Sequence, residues 1–208
     1  MTELTLIRHG LTEHNATRRF QGQSDVPLNA EGRRQAALVA ARVARRPVGA
    51  LYTSDLARAS ATADVIGAAL GLVPVSRPEF REIDVGAAVG LTREELAARY
   101  PELFGEAWTH TRFPGGESYE QLADRHARIA REVIARHRGA RVMVVTHGGA
   151  IRALVSRLVE IPLGKLVGLA VDNTSITELV AVDDGRVRLR VLNDAAHLEP
   201  WAADLLQA

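Results

Sequence analysis

The sequence predicts an α/β fold, a three-layer α/β/α sandwich with a mostly parallel sheet and a small helical insertion. Three observations predict it. Short apolar, β-prone runs alternate with segments of helical period, the pattern of a parallel sheet with helices on its faces. Two of those runs, Leu4–Arg8 and Arg141–Thr146, lead into a histidine followed by glycine, at His9-Gly10 and His147-Gly148. The alternation breaks once, between Gly86 and Gly116, where an insertion over one sheet edge is expected at residues 87–117 of a single domain spanning 1–208.

Each element has its own local reason. Leu4–Arg8 reads as a buried strand, and the polar, turn-rich stretch His9–Leu28 as a loop. Asn29 suits a helix N-cap and Glu31 its positive end, and Ala36, Val39, Ala40 and Val43 recur at helical spacing until Pro47 and Gly49. Ala50–Thr53 is a second strand. Ser54 or Asp55 is expected to cap a helix that reaches about Leu70 and stops at Gly71, before a third strand at Val73–Val75. The insertion predicts helical pieces at Thr92–Tyr100 and near Phe104–His110. Ser118–His137 is a long polar helix on which His126 and His137 are expected to be solvated. Arg141–Thr146 is the clearest buried strand, and Gly148–Leu158 the helix after it. Ser175–Val182 and Arg186–Leu192 flank Asp183-Asp184-Gly185 as an edge hairpin, with Arg186, Arg188 and Arg190 on a wet face. From His197 the tail reads as a short helix or a frayed end.

Composition narrows the function. The 208 residues carry a net charge of +1, with 47% apolar and 25% charged residues. That is enough for a core and gives no global basic field, so no nucleic-acid partner is expected. Cationic charge is nearly all arginine, with Lys165 the one lysine. There is no cysteine, hence no disulfide, thiolate nucleophile or cysteine zinc site, which fits a cytoplasmic setting. No signal peptide is apparent, and no apolar run approaches the roughly 20 residues of a membrane span. The oligomeric state is open, with a homodimer compatible.

The residues themselves point to phosphate chemistry. Strands parallel in one sheet end on the same edge, so His9 and His147 are expected to meet. Arg8 and Arg58 supply planar guanidinium groups that grip two oxygens each. The helix starts after Asp55 and after His147 supply N–H donors, and Gly148 and Gly149 let backbone approach a ligand. His9 is the better nucleophile candidate, because neighbouring arginines hold an imidazole neutral. His147 then donates to the transferring group. Glu82 is the expected proton donor, with Asp84 its nearest competitor. A metal held by His9, His14 and His147 would face two arginines, so no metal and no cofactor are expected. Leu91, Phe104, Trp108 and Phe113 read as a cap that either meets the organic part of a substrate or packs on itself. Arg42, Arg45 and Arg46 complement a helix C-terminus.

These strings resemble the histidine phosphatase superfamily, with its phosphoglycerate-mutase-like fold. Leu6-Ile7-Arg8-His9-Gly10 with Thr12-Glu13 and Asn15 is similar to the family's opening motif, and Phe20-Gln21-Gly22, Asp25, Leu28 and Gly32 continue it. Thr53–Ala59 with Thr62-Ala63 resembles the second motif, Arg81–Gly86 the acid/base segment, and Val145–Gly149 the last. The resemblance implies that His9 becomes phosphorylated and that Arg8, Arg58, His147 and Gly148 bind the phosphoryl group. It also implies that Glu82 donates the proton, that Asn15, Gln21 and Gly22 add contacts, and that no metal is required. The insertion is short, its basic content limited to Arg93, Arg99, Arg112 and His110. Phe113–Ser118, Asn193-Asp194 and His197-Leu198 resemble the family's short phosphatase branch, some of whose members act on α-ribazole phosphate. The expectation is a phosphomonoester hydrolase acting on a small molecule. A phosphotransferase and a non-catalytic phospholigand-binding protein are the alternatives.

Overall fold

In this computed structural model, residues 1–105, 108–166 and 168–199 are described. The elements run β1 (Thr2–Arg8), α1 (Glu13–Ala16), α2 (Ala30–Val43), β2 (Ala50–Thr53), α3 (Ala57–Leu70) and β3 (Val75–Ser76). They continue with α4 (Arg93–Arg99), α5 (Tyr119–Arg136), β4 (Arg141–Thr146), α6 (Gly148–Val159), α7 (Leu163–Leu166), β5 (Ile176–Ala181) and β6 (Val187–Asp194).

The sheet order is β3-β2-β4-β1-β5-β6. Within it β3, β2, β4 and β1 pair in parallel, while β5 pairs antiparallel with both β1 and β6. Strand side chains alternate between faces, and the core divides accordingly. Leu4, Leu6, Val142 and Val144 pack with the inward residues of α5 and α6, such as Ala130, Val133, Ile151 and Leu154. Ile7, Leu51, Met143 and Val145 pack with Val39, Val43, Ala63 and Ile66 of α2 and α3. This is the expected three-layer arrangement, with the predicted edge hairpin in place.

Several local expectations are corrected. The stretch after His9 is not all loop, because Thr12 and Asn15 form a reciprocal cap on α1. The N-cap of α3 is Leu56, without a side-chain cap. Ser54 instead accepts the Leu56 N–H, and Asp55 pairs with Arg81 at 2.5 Å. The third strand lies at Val75–Ser76, two exposed residues at the sheet edge, later than expected. In the insertion, α4 forms, but Pro101–Phe104 is a 3-10 turn, and residues 106 and 107 of the second expected helix lie outside the described residues. The insertion packs through Leu96, Leu103 and Phe113 on Leu122 and Ala123 of α5 and on Ala150 and Ala153 of α6. It thus sits over the edge of the sheet at which the parallel strands end. His126 is fully buried, not solvated, because it falls four residues after Leu122 on the inward stripe of α5, where its Nδ1–H donates to the Leu122 carbonyl at 3.1 Å. His137 is half-buried, with Nε2 2.9 Å from the Tyr52 hydroxyl. Ala196–Leu198 forms one 3-10 turn, and the tail from residue 200 lies outside the described residues.

Candidate active site

Strand register brings the two histidines together. Arg8 and Thr146 are partners at the ends of β1 and β4, and the next residue in each chain segment is a histidine. Their rings stand edge to face with centroids 5.1 Å apart. Arg58 enters from the first turn of α3, which follows β2, the other neighbour of β4. Glu82 lies in the segment after β3. All four strands deliver their groups to the carboxyl edge of the sheet, where open α/β sheets bind ligands.

His9 is held in one tautomer. The Gly10 carbonyl can only accept, so Nδ1, 2.7 Å away, carries the hydrogen and Nε2 keeps its lone pair. Burial, then the charges of Arg58 and Arg8, push the His9 pKa well below its ordinary value, so the ring is neutral at pH 7. Arg58 Nε donates toward that lone pair at 3.3 Å, while Nη1 and Nη2 donate to the carbonyls of Ser24 and Gly22, each at 2.7 Å. The side chain is therefore a fixed plane facing His9. Arg8 Nη1 donates to the Val171 carbonyl at 2.6 Å, and its Nε is buried with no partner among the described residues. Desolvation pushes the pKa of both arginines down to about 10, which leaves them cationic at pH 7. His147 has Nε2 2.9 Å from Ser54 Oγ, while its buried Nδ1 is unpartnered among the described residues. Burial, then Arg58, holds its pKa well below the ordinary value. Buried polar atoms left without partners are rare. Arg8 Nε and His147 Nδ1 in one place mark where a polar ligand belongs.

Glu82 faces this group across the cavity. Its Oε1 accepts the Ile83 N–H at 2.9 Å and its Oε2 the Gly149 N–H at 3.0 Å. A Cβ at 149 would stand 2.6 Å from Glu82 Oε1 and push that carboxyl group aside. The segment carrying Glu82 is tied down by Arg125 of α5, which donates to the carbonyls of Glu79, Arg81 and Glu82 at 2.8, 3.0 and 3.2 Å. The same guanidinium forms a two-pronged pair with Glu117. Asp84 instead accepts the Gly86 N–H at 2.9 Å and stays out of the cavity lining.

The cavity measures about 460 Å³. Among the sequence candidates, Arg8, His9, Asn15, Gln21, Gly22, Arg58, Glu82 and Gly148 line it, and His147 stands behind against His9. Asn15 and Gln21 share the Thr12 hydroxyl, 3.0 and 2.9 Å from their Oδ1 and Oε1. Sequence reasoning missed Tyr119 and Arg152, which also line it. Arg152 was legible in one respect, standing four residues after Gly148 on the same helical face. Ser54 was noticed for the wrong reason, as a cap rather than as the partner of His147. A further cavity of about 640 Å³ lies at the far ends of α5 and α6 and holds none of these groups.

Two cations, a neutral imidazole whose lone pair is turned to one of them and a carboxyl group facing it define a centre for phosphoryl transfer. Comparison with known proteins gives the particular class. The description of the histidine phosphatase superfamily (branch 1) matches residues 4–195, and the chain belongs to that family. It is 37% identical over 203 residues to phosphoglycerate mutase-like protein 4 of Arabidopsis thaliana, covering 95% of this chain and 87% of that one. It is likewise 37% identical over 206 residues to the metal-independent phosphoserine phosphatase of the same plant, covering 95% and 84%. Among solved structures, mycobacterial glucosyl-3-phosphoglycerate phosphatase in complex with VO3 is similar at 34% identity and a TM-score of 0.84, covering 93% of this chain and 99% of that one. Phosphoserine phosphatase of Entamoeba histolytica with 3-phosphoglyceric acid superposes at a TM-score of 0.88 and 27% identity, covering 96% and 100%.

Proposed function

We propose that this protein is a metal-independent phosphomonoester hydrolase that works through a phosphohistidine. The observation that carries the reading is the fixed tautomer of His9, whose Nδ1–H is spent on Gly10 while Nε2 faces the arginines. Arg8, Arg58, His147 and the Gly148 N–H hold the three non-bridging oxygens, with Asn15, Gln21 and Gly22 closing the rim. The Nε2 lone pair of His9 attacks phosphorus in line. An N–P bond forms, the ester P–O bond breaks, and Glu82 in its acid form gives its proton to the leaving oxygen. Glu82, now a carboxylate, takes a proton from water. The water oxygen bonds to phosphorus, the N–P bond breaks, and phosphate leaves with His9 restored. Segment 87–117 caps the cavity within one domain, and the substrate is a small molecule. We place the reaction in the cytosol, supported by a chain without cysteine. Among the described residues no helix is long and apolar enough to cross a membrane.

The test is phosphate release from a panel of phosphomonoesters in chelator, with wild type beside His9→Ala, and with radiolabelled ester to trap an acid-labile phosphoenzyme. Wild-type turnover and labelling, both lost in His9→Ala with a rate drop on the order of 10⁴ or more, are expected. No turnover and no label in wild type would sink the reading. A phosphotransferase is the second reading, favoured by the 34% identity to a probable phosphoglycerate mutase of Serratia proteamaculans. Label passing to an added alcohol without phosphate release would establish it.

A further inference from the structure

The catalytic cavity adjoins a second one of about 370 Å³, and Phe20, Tyr119 and Arg152 line both. That volume lies within the range of roughly 300–1,000 Å³ typical of small-molecule sites. Its walls are mostly rings. Trp108 and Phe113 meet Tyr119 with centroids 5.1 and 6.2 Å away, and Phe20 meets Phe113 at 6.2 Å. Phe104 closes the outer side with the Arg93 guanidinium 4.8 Å over its face. Leu96 and Leu163 complete the apolar lining. One cation faces this space from the catalytic side. Arg152 Nε donates to the Leu169 carbonyl at 2.7 Å, which sets the guanidinium plane, and its terminal nitrogens have no hydrogen-bond partner among the described residues.

In-line attack places the leaving oxygen opposite His9 Nε2, next to the group that protonates it. The rest of the alcohol must therefore extend past Glu82. Tyr119, near enough for the Glu82 charge to help raise its phenol pKa to about 12 after burial, forms the wall at that point. The ring-lined cavity is where the alcohol goes. Rings recognise flat apolar bodies, and a guanidinium with free terminal N–H groups recognises a carboxylate. A compact polar alcohol would leave the rings facing water.

Building on the phosphohydrolase reading, we propose that this cavity is a leaving-group subsite selecting phosphomonoesters of alcohols that carry an aromatic ring and a carboxylate, with the ring among Phe20, Phe104, Trp108 and Phe113 and the carboxylate on Arg152. The recognition is two-part. The ring supplies burial, and the carboxylate fixes which way the ester oxygen points toward Glu82.

Four esters separate the two parts: ethyl phosphate, 2-phenylethyl phosphate, 2-phosphooxypropanoate and 3-phenyl-2-phosphooxypropanoate. Within each pair that differs by the ring, the leaving alcohols are of similar acidity, so the chemistry is matched. Wild type is expected to favour the ring-bearing member of each pair by about tenfold or more in kcat/KM. Phe104→Ala is expected to bring that ratio toward one. Arg152→Ala is expected to raise KM for the two acids about tenfold more than for the two neutral esters. Equal kcat/KM within each pair in wild type, or an Arg152→Ala loss uniform across all four esters, would overturn the subsite. Hydrolysis of none of the four by wild type would instead overturn the phosphohydrolase reading on which it rests.

Discussion

His9, Arg58 and His147 are 2%, 1% and 0% exposed; the histidines follow the ends of central strands and Arg58 stands in the first turn of α3. Phe104 and Trp108 are half-buried and Arg93 is exposed, on one short helix and the turns after it. The floor of the cavity is thus held by the Gly10 carbonyl and the Ser54 hydroxyl beneath the histidines and by the Gly22 and Ser24 carbonyls beneath the arginine. The roof is held by ring contacts and one capping box. Groups that must be placed to within fractions of an ångström are tied to the sheet. The rings over it are tied only to the short helix and turns of the insertion.

That contrast can be broken from the floor first. Arg58→Ala removes a cation that both faces the nucleophile and clamps the segment around Gly22. Its expected cost is about 3–4 kcal/mol, on the order of 10²–10³ in kcat/KM, by analogy with the loss of one oxyanion donor. Steady-state kinetics on ethyl phosphate checks it, and near-normal kcat would remove Arg58 from the mechanism. Gly149→Ala is the next test. The new methyl group displaces Glu82 while leaving every charge in place, so kcat is expected to fall on the order of 10²-fold. Affinity for inorganic phosphate, read by calorimetry, should change little. Equal losses in both would mean that the helix start, not Glu82, had moved.

Acid sharpens the same comparison, because burial holds down the pKa of the histidines in the layer beneath the cavity. Burial pushes His126 down to about 3 from its ordinary 6.5. Below pH 6.5 the unfolded chain takes up a proton that the folded one refuses, so stability is full above 6.5 and is lost as pH falls toward 3. The loss is about 1.4 kcal/mol per pH unit for this one group. His9 and His147 shift in the same direction and add to it. Urea unfolding at pH 7.5 and pH 5 should show His126→Gln losing about 2 kcal/mol less than wild type over that interval. The smallest effect lies in the roof. Thr92→Ala removes the N-cap of α4, and amide exchange there should report about 1 kcal/mol less local stability. Hydrolysis of ethyl phosphate should be unaffected.

The floor was also the more legible half of the molecule. Arg141–Thr146 matches its strand to the residue because both faces of that strand are buried, which leaves an unbroken apolar run. The two histidines could be paired from sequence because parallel strands share an edge. β3 was misplaced because two exposed residues on a sheet edge carry no burial pattern, and Val73, expected in it, is 87% exposed. His126 was misjudged from the polarity of its helix, although its spacing from Leu122 marked the inward stripe. Tyr119 left no local mark, and Arg152 only its spacing from Gly148. Each is an ordinary helix residue until the first turns of α5 and α6 are packed under the insertion.

The place of β1 in the sheet has a consequence for how the protein is made. Thr2–Arg8 leads into His9, yet both its neighbours, Arg141–Thr146 and Ile176–Ala181, come far later in the chain. Closing such distant pairings is slow compared with local ones. At roughly 5–20 residues per second, the first strand leaves the ribosome about 10–35 seconds before its last partner is synthesised. Until His147 has been synthesised, the growing chain holds His9 without the ring it meets at the end of the sheet.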